Sequence, residues 1–213
     1  MFLGVRDYGD WRSVAWMARL KWLPADAWRW DFEAGNALVE NMTALQNHVR
    51  LDYASGGFDY RFAPRWLATA GLLAGRFDDS NRRTRLNGRL EYRLAEAPRV
   101  TLGAEGMAFR DSDPPNPGRG YWSPDSYREL KLALAAEAQH QGWDLYLKAA
   151  LGKLWEDPGG SNNLYQLEAS ARHGVGDWGV ARFYGGYSDS AGLTQGGGGY
   201  WRWYLGTTLD IPF

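Results

Sequence analysis

From Arg83 to Leu94 the chain alternates in steps of two. Thr84, Leu86, Gly88, Leu90, Tyr92 and Leu94 are uncharged, while Arg83, Arg85, Asn87, Arg89, Glu91 and Arg93 are polar and mostly ionised. Successive side chains of a strand point to opposite faces, so this segment sets an apolar face back to back with a charged one. A helix would mix the two sets around its circumference. The same period recurs along the chain. Val14, Trp16, Ala18, Leu20 and Trp22 alternate with Met17, Arg19 and Lys21. Trp28, Trp30 and Phe32 alternate with Arg29, Asp31 and Glu33, and Trp143, Leu145, Leu147 and Leu151 with Asp144, Tyr146 and Lys148. Val49, Leu51 and Tyr53 oppose His48, Arg50 and Asp52. The phase then changes at Gly56-Gly57, after which Phe58, Tyr60 and Phe62 oppose Asp59 and Arg61. A glycine pair at a phase change predicts a β-bulge.

One segment pulls the other way. ELKLALAAEAQ is rich in good helix formers, but Leu130, Leu132 and Leu134 at spacing two favour a strand. Segments 66–77 and 178–188 alternate less cleanly and are assigned as strands from context.

The connections come in two alternating kinds. LPADA (23–27), APR (63–65), AEAPR (95–99), QHQG (139–142) and GVGD (174–177) are short. DDSNR (78–82), RDSDPPNPGRGYWSPDS (110–126), EDPGGSNN (156–163) and SAGLTQGGGG (190–199) are longer, polar and rich in Gly or Pro. This rhythm belongs to an up-and-down antiparallel barrel with tight turns at one rim and longer loops at the other. Trp22, Trp28, Trp66, Trp143 and Trp178 all lie within a residue or two of the short turns. That is where a membrane-interface girdle of amphipathic rings belongs. A soluble sandwich would instead scatter its tryptophans through strand centres.

Composition sharpens this picture. Among 213 residues there are 27 glycines, twelve tryptophans, twelve tyrosines and no cysteine. Disulfides, thiolate metal sites and cysteine nucleophiles are therefore excluded. Twenty-four basic against 25 acidic residues leave a net charge of −1, which removes the footprint of a nucleic-acid binder. A mean hydropathy of −0.50 and the lack of any long apolar run exclude helical spans, while a wall whose faces alternate cancels in any average. The fold class predicted is an all-β transmembrane up-and-down barrel in a bacterial (Gram-negative) outer membrane, with residues 1–213 as one barrel domain. The start, MFLGVRDYGDWRS, has no secretory leader pattern. A barrel delivered to that membrane needs one, so a leader has been removed or the chain is a fragment.

The last strand, YWRWYLGTTLDIPF, alternates back from Phe213 through Ile211, Leu209, Thr207, Leu205 and Trp203. It resembles the C-terminal signal of bacterial outer-membrane barrels, which implies that the barrel assembly machinery reads Phe213, Ile211, Leu209 and Leu205. Strands are predicted to begin near residues 12, 27, 43, 65, 82, 99, 127, 142, 164, 177 and 200, and Phe2 to Val5 is the end of one more. Bacterial barrels close with an even number, and that first strand is too short to cross about 25 Å of hydrocarbon. The chain is therefore read as the C-terminal part of a longer barrel, with a complete twelve-stranded barrel as the alternative.

Two local motifs narrow the family. Tyr121-Trp122-Ser123-Pro124, with Tyr127 shortly after, lies in the longest loop. Asp78-Asp79-Ser80-Asn81-Arg82-Arg83 leads into the arginine-rich strand. With the strand spacing, they resemble the barrel portion of exopolysaccharide export porins, of the bacterial cellulose synthase outer-membrane subunit and poly-N-acetylglucosamine exporter type. Those barrels have about sixteen strands and follow periplasmic tetratricopeptide helices, of which no repeat is visible here.

The resemblance implies a pore conducting a secreted polysaccharide or other polar solute, lined by Arg50, Asp52, Arg83, Arg85, Arg89, Glu91 and Arg93, with Tyr146 and Tyr184 as stacking positions for sugar rings. Most of these charges are expected to pair across strands. The row Arg83, Arg85, Arg89 and Arg93 is the exception, one acidic residue in its own strand being too few, and is expected to bias the pore toward anions. The alternative is a closed or plugged barrel that anchors a periplasmic repeat domain. The partners implied are outer-membrane lipid, the assembly machinery, a polysaccharide and such a repeat domain, with no nucleic acid.

No catalytic residue, metal or cofactor is expected. His140 and His173 sit near turns, with no serine or carboxylate pair beside either as a triad or dyad would need, and His48, read as facing the lumen with Arg50 and Asp52 on the same side, is the one candidate general base and is taken as a wall residue. GGGG at 196–199 is read as a loop tip, because no helix follows it to cradle a phosphate.

Overall fold

The computed structural model describes residues 1–7, 11–38, 42–113, 118, 120–191 and 200–211. Phe213, the GGGG segment and most of the loops around residues 8–10, 114–119 and 192–199 lie outside them.

Twelve strands follow one another in chain order: β1 (Phe2–Asp7), β2 (Arg12–Ala25), β3 (Trp28–Leu38), β4 (Arg50–Ala63), β5 (Trp66–Phe77), β6 (Arg82–Glu96), β7 (Arg99–Asp111), β8 (Ser126–His140), β9 (Trp143–Asp157), β10 (Gly160–Gly174), β11 (Val180–Ser188) and β12 (Arg202–Asp210). Each pairs antiparallel with the next, which makes a single up-and-down sheet. Among the described residues no ladder joins β12 to β1, so the sheet is open. The leucine-rich segment predicted as a strand against its helix propensity is β8, paired along its length with β7 and β9. Neighbouring backbones on both sides outweigh a local preference worth only tenths of a kcal/mol per residue.

The two rims differ. One has two-residue turns at 26–27, 64–65, 97–98 and 141–142, and a short 3-10 turn at Gly176–Trp178. At the other, EDPGGSNN was expected to be a long loop. Instead β9 and β10 continue to a two-residue turn at 158–159. That rim also carries α1 (Met42–Gln46), which alternation alone did not predict and which moves the start of β4 from residue 43 to Arg50.

The two faces of the wall invert the usual order of a soluble protein. Over the lower and middle wall, leucines and aromatics on one face are open to the surroundings: Leu132 is 57 % exposed and Leu205 83 %. The opposite face holds paired charge, with Lys148 and Glu105 at 12 % and 14 % side-chain exposure and Arg29 at 50 %. Near the loop rim the order flips within single strands. On the inner face Leu51, Phe77, Phe109, Tyr127, Leu154 and Leu164 are buried. The outward positions there carry Arg76, Arg82, Arg110, Arg128 and Lys153.

This flip corrects one sequence expectation. No bulge occurs at Gly56-Gly57, since β4 pairs continuously with β3 from Arg50 to Tyr60, and the irregularity against β5 lies between Tyr60 and Ala63. With the phase unbroken, Leu51 and Tyr53 face inward with Asp59, and Arg50 and Asp52 face outward. What changes along β4 is the medium on each side, not the strand.

Glycines mark where the ladders run close. A Cβ at Gly152 would collide with the Leu130 carbonyl of β8, whereas one at Gly106 would meet nothing nearer than 3.6 Å. Gly152→Val is expected to lose at least about 1–3 kcal/mol through overpacking and Gly106→Ala to be near neutral. Denaturant midpoints of the two purified variants check this.

Candidate functional site

The inner face carries a lattice of paired charges built by register. Because β6, β7, β8 and β9 pair in order, Arg89 lies across from Glu105, and Glu105 from Lys131. Lys148 reaches Glu105 at 2.6 Å, Lys131 reaches Glu129 at 3.0 Å, and Arg89 meets Glu91 at 3.4 Å. On the other flank Arg29 pairs with Asp31 and Asp59, and the Tyr53 hydroxyl donates to Glu33 at 2.8 Å. Lys148–Glu105 and Arg29–Asp59 join different strands, while Lys131–Glu129, Arg89–Glu91 and Arg29–Asp31 lie two residues apart on one face of a single strand.

Below this lattice, beside the short turns, the inner face opens into a cavity of about 1310 Å³. Its lining includes Arg99, Glu137, Asp144, Tyr146, Ser170, Arg172, Arg182 and Asp210. Tyr146 therefore faces the inside as expected. So does Tyr184, whose ring lies 5.6 Å from the Arg182 guanidinium.

At the loop rim the inside is filled by the chain itself. Tyr121, Ser123 and Pro124 are buried, and Trp122 is partly so. Tyr121 stacks on Phe77 at 4.1 Å beside Leu51, Val49 and Ala44 of the α1 segment. Trp122 sits edge-on to Phe109 and Tyr127, each 5.1 Å away, and its indole N–H donates to Glu156 at 2.6 Å. The segment thus crosses the inner face from β5 to β9.

Two buried polar residues hold it there. Arg83, 1 % exposed, donates from Nε and Nη2 to both Asp111 oxygens at 2.7 and 2.6 Å, and from Nη2 to the Trp122 carbonyl at 2.6 Å. Its guanidinium lies 4.6 Å from the Phe109 ring and 5.3 Å from Phe77. Asn81, fully buried, donates from Nδ2 to Tyr121 Oη and Ser123 Oγ at 3.0 Å, and accepts at Oδ1 from the Ser112 and Asp113 backbone. The Tyr121 hydroxyl donates to Asp79 at 2.8 Å. The two motifs that carried the family resemblance are therefore two halves of one network.

Several expected lumen residues need correction. Arg83 faces inward, but the loop covers it, so it is not solute-lining here. Arg50 and Asp52 lie on the outer face, where Arg50 contacts Asp52 and Asp78. Nor is the arginine row unbalanced: Asp111 takes Arg83, Glu91 takes Arg89 and Glu96 takes Arg93 at 3.1 Å. Two of those three partners lie outside β6's alternating set, in β7 or at the strand end, so counting acids within that set missed them. Arg85 alone of the row has no acidic partner among the described residues. His48, expected in the lumen, is exposed in the turn before β4 and stacks on Trp11 at 4.8 Å.

Sequence reasoning gave Asn81 and Ser123 only as members of the two motifs, and it missed Asp111 and the cluster in which Ser190 and Tyr127 both donate to Glu129. Asp111 was the findable one, since pairing β6 with β7 puts it opposite Arg83. The five tryptophans all lie toward the short-turn rim, with Trp22 and Trp178 strongly exposed and Trp143 stacked on His173 at 4.5 Å. Leu205, Leu209 and Ile211 are exposed on the outer face of the last strand segment.

No family model matches the chain, and no curated protein does. Among solved structures it is similar to one titled "Bacterial polysaccharide outer membrane secretin", at a TM-score of 0.76 and 16 % identity, over 95 % of this chain and 70 % of that one. The likeness establishes the fold.

Breaking a buried ion pair from one side leaves a lone charge, at a cost of about 3–5 kcal/mol, whereas replacing both partners by apolar residues is often close to neutral. Arg83→Met is therefore expected to lower the unfolding midpoint sharply. The double variant Arg83→Met/Asp111→Leu should recover most of the loss, as a denaturant titration of wild type and both variants would show.

Proposed function

We propose that this chain forms the wall of an outer-membrane barrel whose polar interior conducts a secreted polysaccharide. The observation that carries the membrane part is the inverted wall: leucines and aromatics face outward and exposed, while the charges face inward, paired, and buried at Glu129 and Lys131. Such a surface is stable where hydrocarbon wets the outside and water the inside. The tryptophans toward the short-turn rim fit one interface of that bilayer, and Leu205, Leu209 and Ile211 fit the outward ridge that the assembly machinery would read together with Phe213.

The polysaccharide part rests on two supports. The structural neighbour bears that description, and the cavity beside the short turns offers what a glycan needs. Charges of both signs and the Tyr146 ring give hydrogen-bonding partners for hydroxyls and a flat face for a sugar. The in-folded Tyr121–Pro124 segment narrows the far end, and it favours a conduit that rests closed over one that stands open. A plugged anchor for a periplasmic repeat domain is the second reading, and that same segment is the observation in its favour.

Leu132→Arg sets a cation on the outer face at mid-wall, where the cost in a bilayer is about 2–4 kcal/mol. Refolding yield into lipid vesicles is expected to fall accordingly, and an unchanged yield would remove the membrane reading. In planar bilayers, Tyr121→Ala/Trp122→Ala is expected to raise the mean single-channel conductance, and the absence of any steady current in that variant would favour the anchor. With most of the arginine row neutralised, anion preference is expected to be slight. Arg85→Glu is expected to move the reversal potential in a salt gradient toward cation preference.

A further inference from the structure

The outer wall near the loop rim carries a feature that conduction does not use. Arg82 on β6, Arg110 on β7, Arg128 on β8 and Lys153 on β9 each point outward and are exposed. None makes a side-chain ion pair or hydrogen bond among the described residues. Asp125 and Asp157, the acidic side chains at the neighbouring strand tips, pair with none of them. Each cation stands on its strand just above the apolar outer positions Leu86, Ala108, Leu130 and Leu151. Four unpaired cations on four adjacent strands, immediately above an apolar belt, are complementary to anionic groups held at the level of lipid headgroups.

Below them the same strands form an open groove of about 920 Å³. Its floor is Gly88, Gly106 and Ala108, its sides include Leu86, Leu130 and Trp155, and Arg128 lies at its upper end with Asp157. The cations and the groove share Arg128, so an acyl chain lying in the groove would bring its own headgroup to the arginines. The registers step these cations by two residues from each strand to the next, so with strands about 4.8 Å apart neighbouring cations lie about 8 Å from one another and the row runs about 25 Å. One phosphate can engage only a neighbouring pair, whereas two phosphates joined through a sugar backbone can reach both pairs.

We propose that this face of β6–β9 binds a bisphosphorylated, multiply acylated glycolipid of the outer leaflet, with its phosphates on Arg82, Arg110, Arg128 and Lys153 and an acyl chain in the groove. The assignment rests on the membrane reading above but not on the polysaccharide one.

The test is native mass spectrometry of the detergent-purified full chain, with bisphosphorylated hexa-acyl lipid A as the probe. Dephosphorylated lipid A, phosphatidylglycerol and excess inorganic phosphate serve as comparisons. Wild type is expected to retain the bisphosphorylated form about tenfold better than the dephosphorylated one, a difference of about 1.4 kcal/mol, and inorganic phosphate is expected not to displace it. Arg110→Gln/Arg128→Gln should lose that preference. Gly106→Leu, at a site where an added Cβ meets nothing within 3.6 Å, should weaken retention of both lipid A forms by filling the groove.

Equal retention of the phosphorylated and dephosphorylated lipids would overturn the assignment, as would displacement by inorganic phosphate or retention of phosphatidylglycerol equal to that of lipid A. The wild-type comparison stands even if a variant fails to fold. A chain that stays dissolved and folded without detergent would defeat the membrane reading itself, which separates the two failures.

Discussion

A sheet whose outer face meets hydrocarbon must satisfy every backbone N–H and C=O within itself, because nothing outside can accept or donate. Within the proposed bilayer the succession of ladders from β1 to β12 meets that constraint for every strand between the two ends and leaves, among the described residues, one edge of β1 and one of β12 still to be paired. The remaining features of the wall follow from which medium touches each side. Where the proposed bilayer meets the middle of the wall, leucines face out and charges pair inside. Where strands rise past it, water wets the outside and the folded-in loop dries the inside, so arginines face out and Leu51, Phe77 and Leu164 face in. One rule, the removal of apolar area from water, produces both orders within a single strand.

The loop-rim interior depends on an arginine that is expensive to bury. Arg83 is shielded between two aromatic rings, and its charge is met by Asp111 and the Trp122 carbonyl. An ion pair taken this far from water gains little stability over an apolar replacement. What it supplies is direction, because the guanidinium fork can satisfy Asp111 and Trp122 together only when the loop lies across β5 to β9. Asn81 adds a second such condition, with donors and acceptors both committed.

The wall was largely legible in the sequence, because a period of two with opposite solvation on the two faces leaves little freedom. Thus β6 and even the helix-prone β8 could be read from their alternation. Arg50 and Asp52 were misplaced because alternation identifies two faces without saying which is wet, and near the rim the answer reverses. The helix α1 and the inward course of Tyr121–Pro124 were not legible, since each is fixed by contacts with residues tens of positions away. The motifs Asp78–Arg83 and Tyr121–Tyr127 stood out as patterns, but only the fold shows that they touch.

Since each strand pairs only with its sequence neighbours, the wall can zip together from hairpins whose turns are as short as two residues, and closing such small loops costs little chain entropy. The Tyr121–Pro124 crossing belongs to another class of event. It must find Asn81, some forty residues back, and its pocket exists only once β4 to β9 stand side by side. Seating of this segment therefore follows the pairing of β4 to β9. Because no ladder passes through it, the seat can empty and refill while the surrounding staves keep every backbone bond they have.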